Sequence, residues 1–263
     1  MTSRLRERFQ QGKATGQPLF IAYVTAGYPA REETVPILLE MEAGGADVIE
    51  LGVPFSDPLA DGATIQHANH VAVSQHVTLR DCFGFVREAR ERGLTVPVLF
   101  MGYYNPILAL GEGRTVAEAA SAGVDGFIVV DLPPDEAGSF LAECRARDLS
   151  FVPLLAPTTS DARIPLLVDA ADAFIYIVSV TGTTGGTSVA VDELPALLAR
   201  VRARTDLPLA VGFGISRREH VVAVGKVAEA AIVGSAIISA IDAAGSESPA
   251  RRVREYVEHV TGR

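Results

Sequence analysis

Eight short apolar, β-branched runs recur about every twenty to thirty residues along the chain, with helical periodicity between them. They fall at 19–25, 47–52, 97–102, 126–131, 151–155, 173–179, 207–212 and 230–234. Most are apolar on both faces, as parallel strands covered by helices must be. The clearest helical patterns between them are 31–43, 79–92, 115–122, 135–147 and 194–205. Three helix-to-strand connections, "EAGGADVIE", "SAGVDGFIV" and "DAADAFIYI", repeat one order: small residues, an Asp, then the strand. Eight such units in 263 residues fit an α/β chain folded as a (β/α)8 TIM barrel, one domain over 1–263. The charged segment "MTSRLRERFQQGKATGQ" adds a surface helix ahead of the first strand. An open doubly wound sheet is the rival, but "YVTAGYPAREE" after the first strand lacks the G-x-G-x-x-G turn that such sheets favour. Near the end, Ser248 and Pro249 read as the N-cap and first position of a last helix.

Charge and composition remove several functions. A formal charge of −9 argues against nucleic acid, whose binding rests on neutralising phosphates with a basic face. No apolar run reaches the roughly 18 residues of a membrane span. The first residues lack the apolar stretch of a secretory signal, and Glu7 argues against a transit peptide, so a cytoplasmic location is expected. Cys82 and Cys144 lie far apart and read as buried, reduced thiols. Lys13 and Lys226 are the only lysines, and both fall ahead of strands, away from the catalytic end. That disfavours imine chemistry. His67 and His70 could share a helix face, but no third metal ligand accompanies them.

In a barrel, catalytic groups lie at the C-terminal ends of the strands and on the loops that follow. Glu50 ends the second strand within "DVIELGVPFSDPLADG", Asp57 and Asp61 follow on its loop, and no Lys, Arg or His occurs between Asp47 and Gln66. Glu50 shares a strand face with Val48 and Gly52. If that face is the interior, desolvation raises its pKa and suits it to general acid–base work. On residue chemistry alone, Asp61 could equally be part of an Asp-Gly turn. "VGFGIS" at 211–216 and "IVGSAI" at 232–237 follow the seventh and eighth strands and each opens a helix. Glycines and helix N-termini at those two places are a frequent phosphate site of barrels. "SVTGTTGGTS" at 179–188 reads as a lid over the catalytic face.

Taken in order, "ELGVPFSDPLADGATIQ", "DLPP", "GTTGG", "VGFGIS" and "VGSAI" closely resemble the tryptophan synthase alpha-subunit family, over about residues 20–238. The resemblance implies retro-aldol cleavage of indole-3-glycerol phosphate to indole and glyceraldehyde 3-phosphate, without organic cofactor or metal. It implies that Glu50 is the general acid–base carboxylate and that Asp61 holds the indole N–H and stabilises positive charge on the ring. Tyr23, Tyr103, Tyr176 and the lid residue Thr184 match substrate-binding positions. Gly185, Phe213, Gly214, Gly234 and Ser235 match the phosphate pocket. Asp57, Pro58 and Asn105 match the surface that meets a pyridoxal-phosphate beta subunit, although Asn105-Pro106 is also an ordinary turn. Family members commonly carry Val where this chain has Thr183. A stand-alone lyase of the same family, or a barrel that mainly activates a beta partner, would keep the same residues.

Overall fold

The structure, a computed structural model, describes residues 3–178, 194–212 and 214–263. Its strands are β1 (Leu19–Thr25), β2 (Val48–Gly52), β3 (Val98–Gly102), β4 (Gly126–Val129), β5 (Ser150–Phe151), β6 (Leu154–Leu155), β7 (Ile175–Val178), β8 (Leu209–Gly212) and β9 (Ala230–Val233). Every pair is parallel, and the order is β5-β4-β3-β2-β1-β9-β8-β7-β6. The two ends of that order adjoin in sequence, which closes the ring. The expected fifth strand is split at Val152-Pro153, where proline has no N–H to give to a ladder. Each half serves one neighbour. Val152 N–H donates to Phe127 O at 2.9 Å, and Pro153 O accepts from Tyr176 N–H at 3.1 Å. The barrel read from the sequence is therefore present, with its fifth strand in two pieces.

Alternation along the strands separates two cores. Ile21, Val48, Leu99, Ile128, Val152, Ala210 and Ile232 face the barrel interior. Phe20, Ile49, Leu51, Phe100 and Phe127 face the helices. On that outer side Phe83, Phe100, Phe127, Phe140 and Phe151 form a chain of ring contacts with centroids 5.1–6.3 Å apart.

Helix boundaries moved where proline and glycine act. The 135–147 pattern becomes Gly138–Ala146, because the segment after Pro133-Pro134 is spent in turns. Ser248 caps Pro249–Thr261 as expected, its Oγ accepting from Arg251 N–H at 3.4 Å. "YYNPIL" is not a simple turn: Tyr104–Leu110 is helical, with Pro106 in the first turn where its missing N–H costs nothing.

The N-terminal helix Arg4–Thr15 corrects the expectation of a surface helix. Leu5 and Phe9 are buried in the interior cluster, and Phe9 stacks on Phe174 at 4.9 Å. The helix is the floor of the barrel. The Asp repeated ahead of the strands also finds its physical reason here. Asp47 accepts from Phe20 N–H at 2.7 Å and Asp125 from Val98 N–H at 2.8 Å, satisfying the first amides of neighbouring strands. Glu229 does the same for Leu209 N–H at 2.8 Å. Asp47, fully buried, also pairs with Arg8 and, at 2.7 Å, with Arg263.

Candidate active site

Glu50 stands where alternation puts it, on the interior face of β2 in register with Tyr23 of β1 and Leu99 of β3. Its carboxyl is wholly buried, and among the described residues neither oxygen has a hydrogen-bond partner. An ionised carboxylate in such a place loses its hydration without compensation. Burial accordingly pushes the Glu50 pKa up to about 8. This acid is neutral at neutral pH and free to give its proton.

Asp61 lies on the loop after β2 and is partly accessible. Tyr103 Oη donates to its Oδ2 at 3.2 Å and accepts from Ala60 N–H at 2.9 Å. Burial pushes Asp61 up to about 6, against the opposing effect of the Tyr103 bond. The two acids are thus set apart by their surroundings: between pH 6 and 8 Asp61 is charged while Glu50 keeps its proton.

The loop that carries Asp61 is fixed by groups that motif reading did not find. Phe55 stacks on Tyr103 at 5.0 Å, and Phe55 N–H donates to Oδ1 of buried Asn69 at 3.1 Å. Asn69 belongs to the helix Ala63–Ser74, whose Gln66 donates to Asp61 O at 2.8 Å. Tyr103 is the N-cap residue of Tyr104–Leu110, and Asp131 accepts the Tyr104 N–H at 2.7 Å. Polar side chains that satisfy loop amides leave only a weak trace in a single sequence; the spacing of Asn69 on a helix facing the loop is the one signal available.

Tyr23 and Tyr176 flank Glu50 from neighbouring strands. Tyr23 Oη bonds Thr25 Oγ1 at 3.1 Å. A Cβ built on Gly52 would meet Tyr23 Oη at 2.3 Å, and one on Gly212 would meet Tyr176 Oη at 2.3 Å. Each phenol therefore needs a glycine on the next strand to enter the barrel mouth. Burial, then the Asp61 charge, raises the Tyr23 pKa; burial, then Glu50, raises that of Tyr176. Both stay neutral hydroxyls.

The phosphate positions close the other side. Gly234 follows β9 and is the N-cap of Ser235–Asp242, with Ser235 exposed at its start. A Cβ on Gly234 would meet Tyr23 Cδ1 at 3.3 Å, so this end of the site adjoins the tyrosine beside Glu50. Gly214, just beyond β8, has φ +67°, a conformation that favours glycine. Thr184, Gly185 and Phe213 lie outside the described residues, as does the lid stretch. The structure brings together Glu50, Asp61, Tyr23, Tyr103 and Tyr176. Gly214, Gly234 and Ser235 stand at the adjoining strand ends.

Asp57 and Pro58 lie on the outward loop after β2 and Asn105 in the first turn of Tyr104–Leu110. Beside them in sequence, Leu59 is 80% and Leu108 58% exposed, an unusual use of leucine on a surface. No helix among the described residues is long and apolar enough to cross a membrane.

Comparison with known proteins agrees with this geometry. The family model described as "Tryptophan synthase alpha chain" matches residues 9–262. The alpha chain of Roseiflexus sp. (strain RS-1) is 45% identical over 99% of this chain and all of its own length. The tryptophan synthase of Saccharomyces cerevisiae is 47% identical over 99% of this chain, which spans 37% of that longer protein. Among solved structures, the tryptophan synthase subunit alpha of Legionella pneumophila str. Paris superposes with a TM-score of 0.92 at 33% identity, covering 100% of this chain and 98% of that one. Barrel, paired acids and relatives over nearly the whole length lead to one conclusion: this chain belongs to the tryptophan synthase alpha chain family.

Proposed function

We propose that this protein is the alpha subunit of tryptophan synthase, a lyase that cleaves indole-3-glycerol phosphate to indole and glyceraldehyde 3-phosphate in L-tryptophan biosynthesis. The observation that carries the chemistry is a wholly buried Glu50 with two unpartnered oxygens, held protonated with one strand, β1, between it and the phosphate-type turn at Gly234. In this reading Glu50 delivers its proton to indole C3. The ring becomes cationic, and Asp61, charged and aimed by Tyr103, accepts the indole N–H and offsets that charge. The carboxylate left on Glu50 then takes the proton of the glycerol hydroxyl next to the ring. The electron pair of that O–H bond becomes the aldehyde π bond as the C–C bond breaks, and its electrons restore the neutral indole. Glu50 ends the cycle protonated, so the proton balance closes.

The backbone amides at the start of Ser235–Asp242, with Gly214 opposite, would hold the phosphate without a side-chain cation. Thr184, Gly185 and Phe213 complete the lid and phosphate pocket in the same reading. Asp57, Pro58 and Asn105, with the exposed Leu59 and Leu108, would form the face that meets a pyridoxal-phosphate beta subunit. Residues 1–263 would form one barrel domain of a cytoplasmic biosynthetic enzyme.

The test is indole release from indole-3-glycerol phosphate by purified protein, alone and with a tryptophan synthase beta subunit added. Slow release that rises sharply with the partner is expected. Fast release indifferent to the partner would point to a free-standing lyase, and no release in either case would refute the assignment.

A further inference from the structure

We infer that the N-terminal helix Arg4–Thr15 is a positioning element for the reaction: by closing the lower mouth of the barrel with Leu5 and Phe9, it keeps water from reaching Glu50 through the interior. The inference rests on Glu50 being the acid–base group proposed above.

Three observations carry it. On β2 the interior column is Val48 and then Glu50, two residues and about 7 Å apart along the strand. Val48, Ile21, Leu99, Ile128, Val152 and Ile232 form one buried cluster with Leu5 and Phe9, and Tyr176 packs on it as well. One layer of apolar side chains therefore separates the carboxyl from the floor.

Second, the helix is fastened at both sides of the ring. Arg4 pairs with Asp125 at 2.8 Å, Arg6 with Asp172 at 3.2 Å, and Arg8 with the buried Asp47. These acids precede β4, β7 and β2, so the arginines grip the rim while Leu5 and Phe9, one helical turn apart, enter it. Charge holds the plug in place, and the plug itself is apolar.

Third, the groups that face Glu50 are the neutral phenols of Tyr23 and Tyr176, with Asp61 on the loop beyond. Among the described residues no cation pairs with it. Its protonation is governed by dryness, and the floor is one wall of that dry space.

The test uses full-length Phe9→Ser, in which the vacated ring volume and a hydroxyl give water both room and a partner. The pH profile of kcat/KM for indole release should lose about one pH unit or more from its alkaline limb, toward the ordinary glutamate range, with the acid limb unmoved. Phe9→Leu should restore the wild-type profile. Val257→Ala, in the buried contact between the last helix and the barrel's outer layer, loosens packing away from the interior and should leave both limbs in place. If Phe9→Ser does not fold, Leu5→Asn carries the same expectation. An alkaline limb that stays in place in the floor variants, or moves as far in Val257→Ala, overturns the inference. Glu50→Gln separates the two claims. If that variant turns over at close to the wild-type rate with the alkaline limb in place, the Glu50 assignment fails. If it releases no indole while the alkaline limb stays fixed in Phe9→Ser, only the role of the floor fails.

Discussion

Replacing Tyr103 with Phe removes one oxygen from the site and little else. The ring keeps its 5.0 Å stack on Phe55, but Asp61 loses the donor at 3.2 Å and Ala60 N–H loses its acceptor at 2.9 Å. A hydrogen bond to a charged group contributes about 1.5–3 kcal/mol, and at 3.2 Å the lower end applies. At 1.36 kcal/mol per pH unit this is about one unit. The Tyr103 bond favours charged Asp61, so its loss should raise the acid's pKa from about 6 to about 7. The wild-type profile of kcat/KM should be bell-shaped, falling below pH 6 as Asp61 is protonated and above pH 8 as Glu50 loses its proton. In Tyr103→Phe the acid limb should move up by about one unit while the alkaline limb stays, narrowing the plateau. The substrate phosphate also titrates near pH 6, but no protein substitution can shift its pKa in free solution. An acid limb unmoved by Tyr103→Phe would therefore show that Asp61 does not control it.

Two further outcomes follow from packing. Asp47→Ala leaves the buried Phe20 N–H without its acceptor and releases the partly exposed Arg8 and Arg263, which should cost about 1–3 kcal/mol in urea unfolding. Gly52→Ala places a methyl where Tyr23 Oη stands and should cost about 1–3 kcal/mol in unfolding, with reduced activity from the displaced phenol.

The architecture was legible because the parallel strands are apolar on both faces and the chain alternates regularly. β1 begins and ends where the pattern does. Alternation placed Glu50 on one face with Val48 and Gly52, and the interior cluster that holds Val48 makes that face the barrel interior. Other features were hidden for physical reasons. Arg4, Arg6 and Arg8 made the first helix read as polar, because a pair of apolar residues one turn apart is a faint signal among charges. The helix Tyr104–Leu110 was masked by an Asn-Pro pair that suits a turn as well as a first helical turn. The split of the fifth strand had its sign in Pro153, which a run of apolar neighbours obscured. In the site, Tyr103 and Tyr176 were reached through family resemblance rather than residue chemistry. Asn69 was not reached at all, because its work is to hold the Phe55 amide across a loop.

The most direct test is Glu50→Gln, read by indole release together with stability against pH. Buried Glu50 has its pKa raised from 4.5 to about 8, so its protonated form favours the fold below pH 4.5 and that contribution is lost as pH rises toward 8. A neutral amide is free of this cost. Glu50→Gln should therefore gain stability relative to wild type on going from pH 4.5 to pH 8, bind a phosphate-bearing substrate analogue normally, and release no measurable indole. A folded Glu50→Gln protein that turns over at close to the wild-type rate would contradict the account.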